Sequence, residues 1–195
     1  MKKVYIFCIV FLAGLTLHAQ EFTKQLSEAR TAYAGGKLDD SRFAMQQMLH
    51  DLDMLMGKEV IKLLPAKLQE QQANTAKDNV NGAAGFLGVV IHRDYGAQDK
   101  NINLEIISNS PLLTSINALL SLPFIGNSGD NKVVKIAGYK ALLQKITGEN
   151  EKPTYELQLP MNSSLLSLKA PGYTQDHIVQ MANSLPIAQI AKMLQ

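Results

Sequence analysis

The chain has 195 residues, 46% hydrophobic and 18% charged, with 19 Lys and Arg against 17 Asp and Glu and a single cysteine. That length is enough for one or two domains with a substantial core, and the near-balance of charge leaves no general electrostatic case for nucleic acid or an anionic membrane surface as partner. One cysteine excludes an intrachain disulfide and a zinc–thiolate cluster.

Met1-Lys2-Lys3 is a positive n-region, Val4 to Leu17 is an almost unbroken apolar run, and Leu17-His18-Ala19 precedes Gln20 as a cleavage site. The pattern predicts a secretory signal peptide over 1–19. A membrane anchor is the competing reading, but the run is shorter than the roughly 20 apolar residues a span needs, and the flank after it is not basic. Leu12-Ala13-Gly14 is followed by Leu15 where a lipoprotein would carry cysteine. Cys8 departs with the signal, and so do Lys2 and Lys3, leaving 17 basic residues against the 17 acidic ones. The expectation is a thiol-free, neutral protein exported across the inner membrane, periplasmic or extracellular, not a lipoprotein and without a transmembrane span after cleavage.

Phe22, Leu26, Ala29 and Tyr33 recur at steps of four, three and four, one face of a helix that ends at Gly35-Gly36. A second helix follows, with Asp39 as cap and Leu38 and Phe43 spaced as a hydrophobic staple. Its apolar face runs through Met45, Met48, Leu49, Leu52 and Leu55, past Gly57, to Val60, Ile61 and Leu64 before Pro65. Residues 20–65 therefore read as a helical hairpin. Its Gly-Gly-Lys-Leu-Asp-Asp corner has a slight likeness to one tetratricopeptide unit, but no second copy follows, and a lone unit cannot stack.

Residues 66–83 are rich in Gln, Asn, Lys and Asp with few large apolar side chains, and read as a polar linker. The α+β domain then occupies 84–195. Leu87, Val89 and Ile91 alternate as in a strand; Ile102, Leu104 and Ile106 face one way and Asn103 and Glu105 the other, giving one buried and one wet side. Between this strand and the next lies a greasy helix over 110–122, with Ser110 as cap, Pro111 in the first turn and Leu113, Ile116 and Leu120 as its stripe. Strands follow at Lys132–Ile136, Tyr139–Ile146, Thr154–Leu159 and Leu165–Lys169, joined by short links that favour an antiparallel meander. A last helix is capped by Thr174 and interrupted at Pro186. The fold class is α+β: a helical hairpin, then β-β-α-β-β-β-β-α, an antiparallel sheet of about five to six strands with helices covering one face. In that arrangement the 110–122 helix is the expected lid of the core.

Several features in order, Leu64-Pro65, a Gly-rich start, Arg93-x-Tyr95, the strand running into Ser110-Pro111-Leu112-Leu113, Lys132-Val133-Val134-Lys135-Ile136, Gly138-Tyr139-Lys140-Ala141 and a C-terminal Ile-Ala-x-x-Leu-like pattern, resemble a group of small exported bacterial proteins of unknown function. The resemblance spans about residues 60–194 and implies no catalytic or binding residue. The chain departs from the group in its polar 66–83 stretch, where an aromatic-containing segment would be expected.

Candidate chemistry is sparse. Gly126-Asn127-Ser128-Gly129 has a passing likeness to the surroundings of some serine nucleophiles, and His92 with Asp94 or Asp130 could serve as base and acid, but nothing in the spacing requires it and an ordinary Gly/Asn/Ser loop is the commonplace explanation. His50, Asp51 and Asp53 do not share one helical face and read as a solvated surface, and no metal-ligand spacing occurs. Gly82-Ala83-Ala84-Gly85-Phe86-Leu87-Gly88 lacks the Lys-Ser/Thr of a phosphate loop. Lys132, Lys135, Lys140 and Lys145 are either a basic strip or the charges that keep an edge strand from aggregating. No catalytic, cofactor-binding or metal-ligating residue is assigned. The function expected is a non-enzymatic cell-envelope module that binds a partner protein or an apolar ligand, with a hydrolase of unrecognised site or a structural part of an envelope assembly as alternatives.

Overall fold

The computed structural model describes residues 21–82, 88–97, 101–122, 130–146 and 153–195. The described residues form two compact units divided between Leu52 and Asp53, a boundary that falls inside a helix.

The first unit holds α1 (residues 21–34) and the start of α2 (Leu38–Leu63). Gly36, at φ +70°, takes the left-handed conformation that ends α1 and admits the turn. α2 begins one residue before the Asp39 cap expected from the sequence, so Asp39 and Asp40 sit in its first turn, where carboxylates favour the helix dipole. Leu38 and Phe43 are both exposed. The two helices are joined by Ser41 Oγ, which donates to Ala29 O at 2.9 Å, and by Gln25 Nε2, which donates to Asp51 Oδ2 at 3.0 Å.

The second unit begins with the rest of α2, since nothing in the chain breaks that helix at Asp53. Gly57 lies inside it, at a cost of about 1 kcal/mol relative to Ala. Its missing side chain is used: a Cβ there would stand 2.6 Å from Val80 Cγ1 and 3.3 Å from Val89 Cγ2, so glycine lets α2 close onto the sheet.

That sheet has seven antiparallel strands in the order β3-β4-β5-β9-β8-β7-β6: β3 (Asn79–Gly82), β4 (Val89–Tyr95), β5 (Ile102–Ser108), β6 (Asn131–Ile136), β7 (Tyr139–Ile146), β8 (Thr154–Met161) and β9 (Ser164–Pro171). The alternation expected of Ile102, Leu104 and Ile106 is present, each 0–1% exposed, with Asn103 and Glu105 on the other face. Ala137 and Gly138, both at positive φ, make the two-residue β6–β7 turn. The edge strand β6 carries Lys132 and Lys135 exposed, as a strand guarded against further pairing should.

The stretch 66–83 is not a linker in this fold. It forms a small hairpin of β1 (Lys67–Leu68) and β2 (Gln71–Gln72), a 3₁₀ turn at Thr75–Lys77 and then β3, which pairs with β4 from Asn79↔His92 to Gly82↔Val89. An edge strand needs few apolar residues, and Leu68, 1% exposed, with half-buried Ala73 and Val80, supplies the contact this segment makes with the core. The division expected at 66–83 lies instead within α2, whose later turns contribute Val60 and Leu64 to the same core.

One sheet face is covered by the end of α2, by α4 (Gln175–Ser184) and by α5 (Ile187–Met193), and this is the main core. Thr174 caps α4 as expected, its Oγ1 accepting from His177 N at 3.4 Å. α3 (Leu113–Ser121) lies on the other face, crossing from β5 to the far edge strand β6. Ile116 and Leu120 pack there with Leu142 and Leu165 in a separate cluster, so α3 is a strap over the second face and not the lid of the main core. Its cap lies two residues earlier than a helix N-cap: Ser110 Oγ accepts from Leu112 N at 3.3 Å and holds the turn that leads in. Pro123, the expected stop, lies outside the described residues; α3 ends at Ser121.

Candidate interaction surface

The strand segment His92-Arg93-Asp94-Tyr95 places two polar groups on each face of the sheet. On the core side the Arg93 guanidinium, 6% exposed, donates through Nε and Nη2 to the two Asp78 carboxylate oxygens at 2.8 and 2.5 Å, and through Nη1 to Leu64 O at 3.0 Å, just past the end of α2. The bidentate bond to Asp78 raises the Arg93 pKa further, against the opposing effect of burial. Tyr95 is fully buried and its hydroxyl makes no hydrogen bond of ordinary geometry. Every polar atom here is turned inward: this is a clasp between α2, the 66–83 segment and β4.

Burial pushes the Tyr95 phenol above its ordinary pKa, with the Arg93 guanidinium pulling the other way. A raised folded-state pKa gives stability that is complete below the unfolded value of about 10 and is lost as pH rises above it. Tyr95→Phe should therefore change stability at pH 7 by less than about 1 kcal/mol, since no hydrogen bond is lost, and should flatten the decline above about pH 10. Urea titrations at pH 7 to 11 check this, and identical alkaline slopes for the two proteins would refute it.

On the other face the structure brings together two of the three groups of the serine-nucleophile reading. Asp94 Oδ1 stands 3.3 Å from His92 Nε2 and accepts from Asn103 Nδ2 at 3.2 Å, while Asn103 Nδ2 also stands 3.3 Å from His92 Nδ1. The imidazole of His92 thus stands between the Asn103 amide and the Asp94 carboxylate. A general base needs one ring nitrogen aimed at its nucleophile and the other held by an acid, and here the acid position is the one the structure supplies, Asp94 at 3.3 Å from Nε2. Ser128 lies outside the described residues. Lys77 Nζ lies 3.8 Å from the other Asp94 oxygen. Around this pair runs a polar row in register across six strands, Asp94, Asn103, Lys169, Glu156, Gln144 and Asn131. Among the described residues no three His, Cys, Asp or Glu side chains group as metal ligands do, and His50, Asp51 and Asp53 follow one another along α2.

The surface that stands out lies in the first unit. A groove of about 810 Å³ runs along one side of the hairpin, lined by polar residues such as Gln25, Glu28, Thr31, Lys37 and Gln47 together with Phe43. Of the large apolar side chains exposed between 21 and 52, only Phe43 lines it. The rest are Phe22, Leu26 and Tyr33 of α1 and Leu38, Met45, Leu49 and Leu52 of α2, exposed by 44% to 69%. On α1 the steps are four and seven; on α2 they are seven, four and three, so each set is a narrow stripe along its helix. The Ser41–Ala29 and Gln25–Asp51 bonds fix which sides of the helices meet, and helical spacing then carries both stripes to the broad side away from the groove. With aromatic side chains at about 150–250 Å² and Leu and Met smaller, each roughly half exposed, the face presents on the order of 600 Å² of apolar surface, at the top of the ~300–600 Å² of the largest patch on a typical monomer.

The Met-rich apolar face of α2 was visible in the sequence, but its two sides were not. Residues of one helix that meet α1 (Ser41, Ala44) and residues that meet solvent (Met45, Leu49) are adjacent in number, and only the hairpin pairing separates them. No helix among the described residues is long and apolar enough to cross a membrane. No family model, curated protein or solved structure matches the chain.

Proposed function

We propose that this is an exported, non-enzymatic interaction module of the cell envelope that engages a partner protein through the apolar face of its N-terminal hairpin. Export is supported by the Met1-Lys2-Lys3 n-region and the apolar run to Leu17. The observation that carries the reading is the pair of exposed stripes, Phe22/Leu26/Tyr33 and Leu38/Met45/Leu49/Leu52, on one side of the hairpin. Contiguous apolar surface of that extent is costly to leave in water and marks a contact site. A hydrolase is the weaker reading, because its support in the structure is limited to His92 and Asp94 standing 3.3 Å apart.

The test is photocrosslinking in the native cell envelope, with a photoreactive residue at Leu49 or Leu52 and, as control, at Thr31 on the grooved side. Protein adducts from 49 and 52 but not from 31 are expected. Adducts from all three positions alike, or from none, would defeat the reading, and adducts to lipid alone would replace the protein partner with an apolar ligand.

A further inference from the structure

The hairpin has two helices and an uncovered apolar side. Two antiparallel helices joined by a short turn, each with a stripe at steps of three, four or seven on the same broad side, have the pattern of four-helix bundle subunits before assembly. A flat ligand or a single added helix would cover one stripe or the furrow between them, whereas a second pair of helices covers both. We propose that the occupant is a second copy of this chain, the two hairpins stacking face to face about a two-fold axis into a four-helix bundle. This deepens the interaction-module reading and rests on it.

Two further observations favour a copy over an unlike partner. Residues 21–52 carry four basic side chains (Lys24, Arg30, Lys37, Arg42) and five acidic ones (Glu21, Glu28, Asp39, Asp40, Asp51), mixed along both helices. A surface so nearly neutral neither repels itself nor calls for a partner of opposite charge, and an isologous contact needs that self-tolerance. The area also fits: two faces on the order of 600 Å² bury about 1,200 Å², at the lower end of the roughly 1,200–2,000 Å² of specific, stable interfaces. Arg42 is the one charge within the α2 stripe, between Leu38 and Met45 and near the turn that joins the helices, where its stem can lie along the apolar surface while its head stays wet. The lone tetratricopeptide-like corner also acquires a use, since a unit that cannot stack on a repeat within its own chain can stack on its copy.

Sedimentation velocity of the processed protein recovered from cells, from about 1 to 100 µM, reads the assembly directly. A dimer is expected, and replacing Leu49 and Leu52 together by Glu should raise its dissociation constant by about 100-fold or more, because the carboxylates would be buried without partners. A second measurement does not depend on that variant's folding. The processed chain has no cysteine, so Leu49→Cys should form a disulfide-linked dimer on oxidation, while Thr31→Cys on the grooved side should not. A monomer at 100 µM, a dimer unaffected by the Glu pair, or crosslinking from 31 but not from 49 would overturn the proposal. A monomer whose residues 49 and 52 still photocrosslink to another protein would overturn self-association and leave the interaction module standing.

Discussion

Replacing Asp78 by Ala should lower the unfolding free energy of the 53–195 unit by about 3–5 kcal/mol, because it leaves the Arg93 guanidinium buried without its carboxylate. The effect is large for a residue in a polar stretch with no sequence signal of its own. Asp78 accepts both forks of a side chain only 6% exposed, and the third donor of that side chain holds Leu64 O, the carbonyl that α2 leaves open at its end. Removing both partners is a different experiment. Asp78→Leu combined with Arg93→Met takes away the buried charge together with its need, and should cost much less than Asp78→Ala, the residue being about 1–3 kcal/mol for the orphaned Leu64 carbonyl. Urea unfolding of the three variants decides the matter. A single-site loss below about 1 kcal/mol, the range of exposed pairs, would show that the clasp is wet in solution.

Ile116→Asp should release α3 from the sheet. Ile116 is 7% exposed in a small cluster with Leu120, Leu142 and Leu165, so truncation alone should cost about 2–5 kcal/mol, and the carboxylate adds a desolvation penalty. The structure also says which part fails. The cluster is separate from the main core, so hydrogen exchange should accelerate first along α3 and at Leu142 and Leu165, while Leu104, Leu157 and Leu168 stay protected until global unfolding. Simultaneous loss of protection on both faces would mean that the strap and the main core are one cooperative unit. Since β5 connects to β6 through α3 across the sheet, the strap is also what carries the chain to the far edge, and a detached α3 should loosen β6 before the central strands.

The elements were largely legible from local pattern. Ile102, Leu104 and Ile106 alternate because one side of β5 meets the helices and the other does not, and the 2.0 period records that burial along a single strand. Thr174 caps α4 because its hydroxyl reaches an amide three residues on. Such signals involve neighbours in sequence, and a reading of the sequence reaches them. The 66–83 segment was misread for the opposite reason: an edge strand is paired by backbone on one side only, and its polar side chains find partners, as Asp78 does in Arg93, fifteen residues away. The candidate surface was half legible. The stripes were written in the spacing of Phe22 to Tyr33 and Met45 to Leu52, but a stripe of that kind serves equally as core or as contact face.

By itself, then, the sequence determined the α+β class, the helical hairpin, six of the seven strands of the main sheet, the Thr174 cap and the Ala137-Gly138 turn, since each depends on side chains within a few residues of one another. The tertiary structure decided what depends on distant partners. It set α3 on the second face of the sheet, drew the polar stretch in as its edge strand, gave Arg93 its carboxylate, set His92 beside Asn103 and Asp94, and left the hairpin's two apolar stripes facing outward. Periodicity tells a chain which side chains must be buried together; strand register and helix pairing, fixed by contacts across tens of residues, tell it against what.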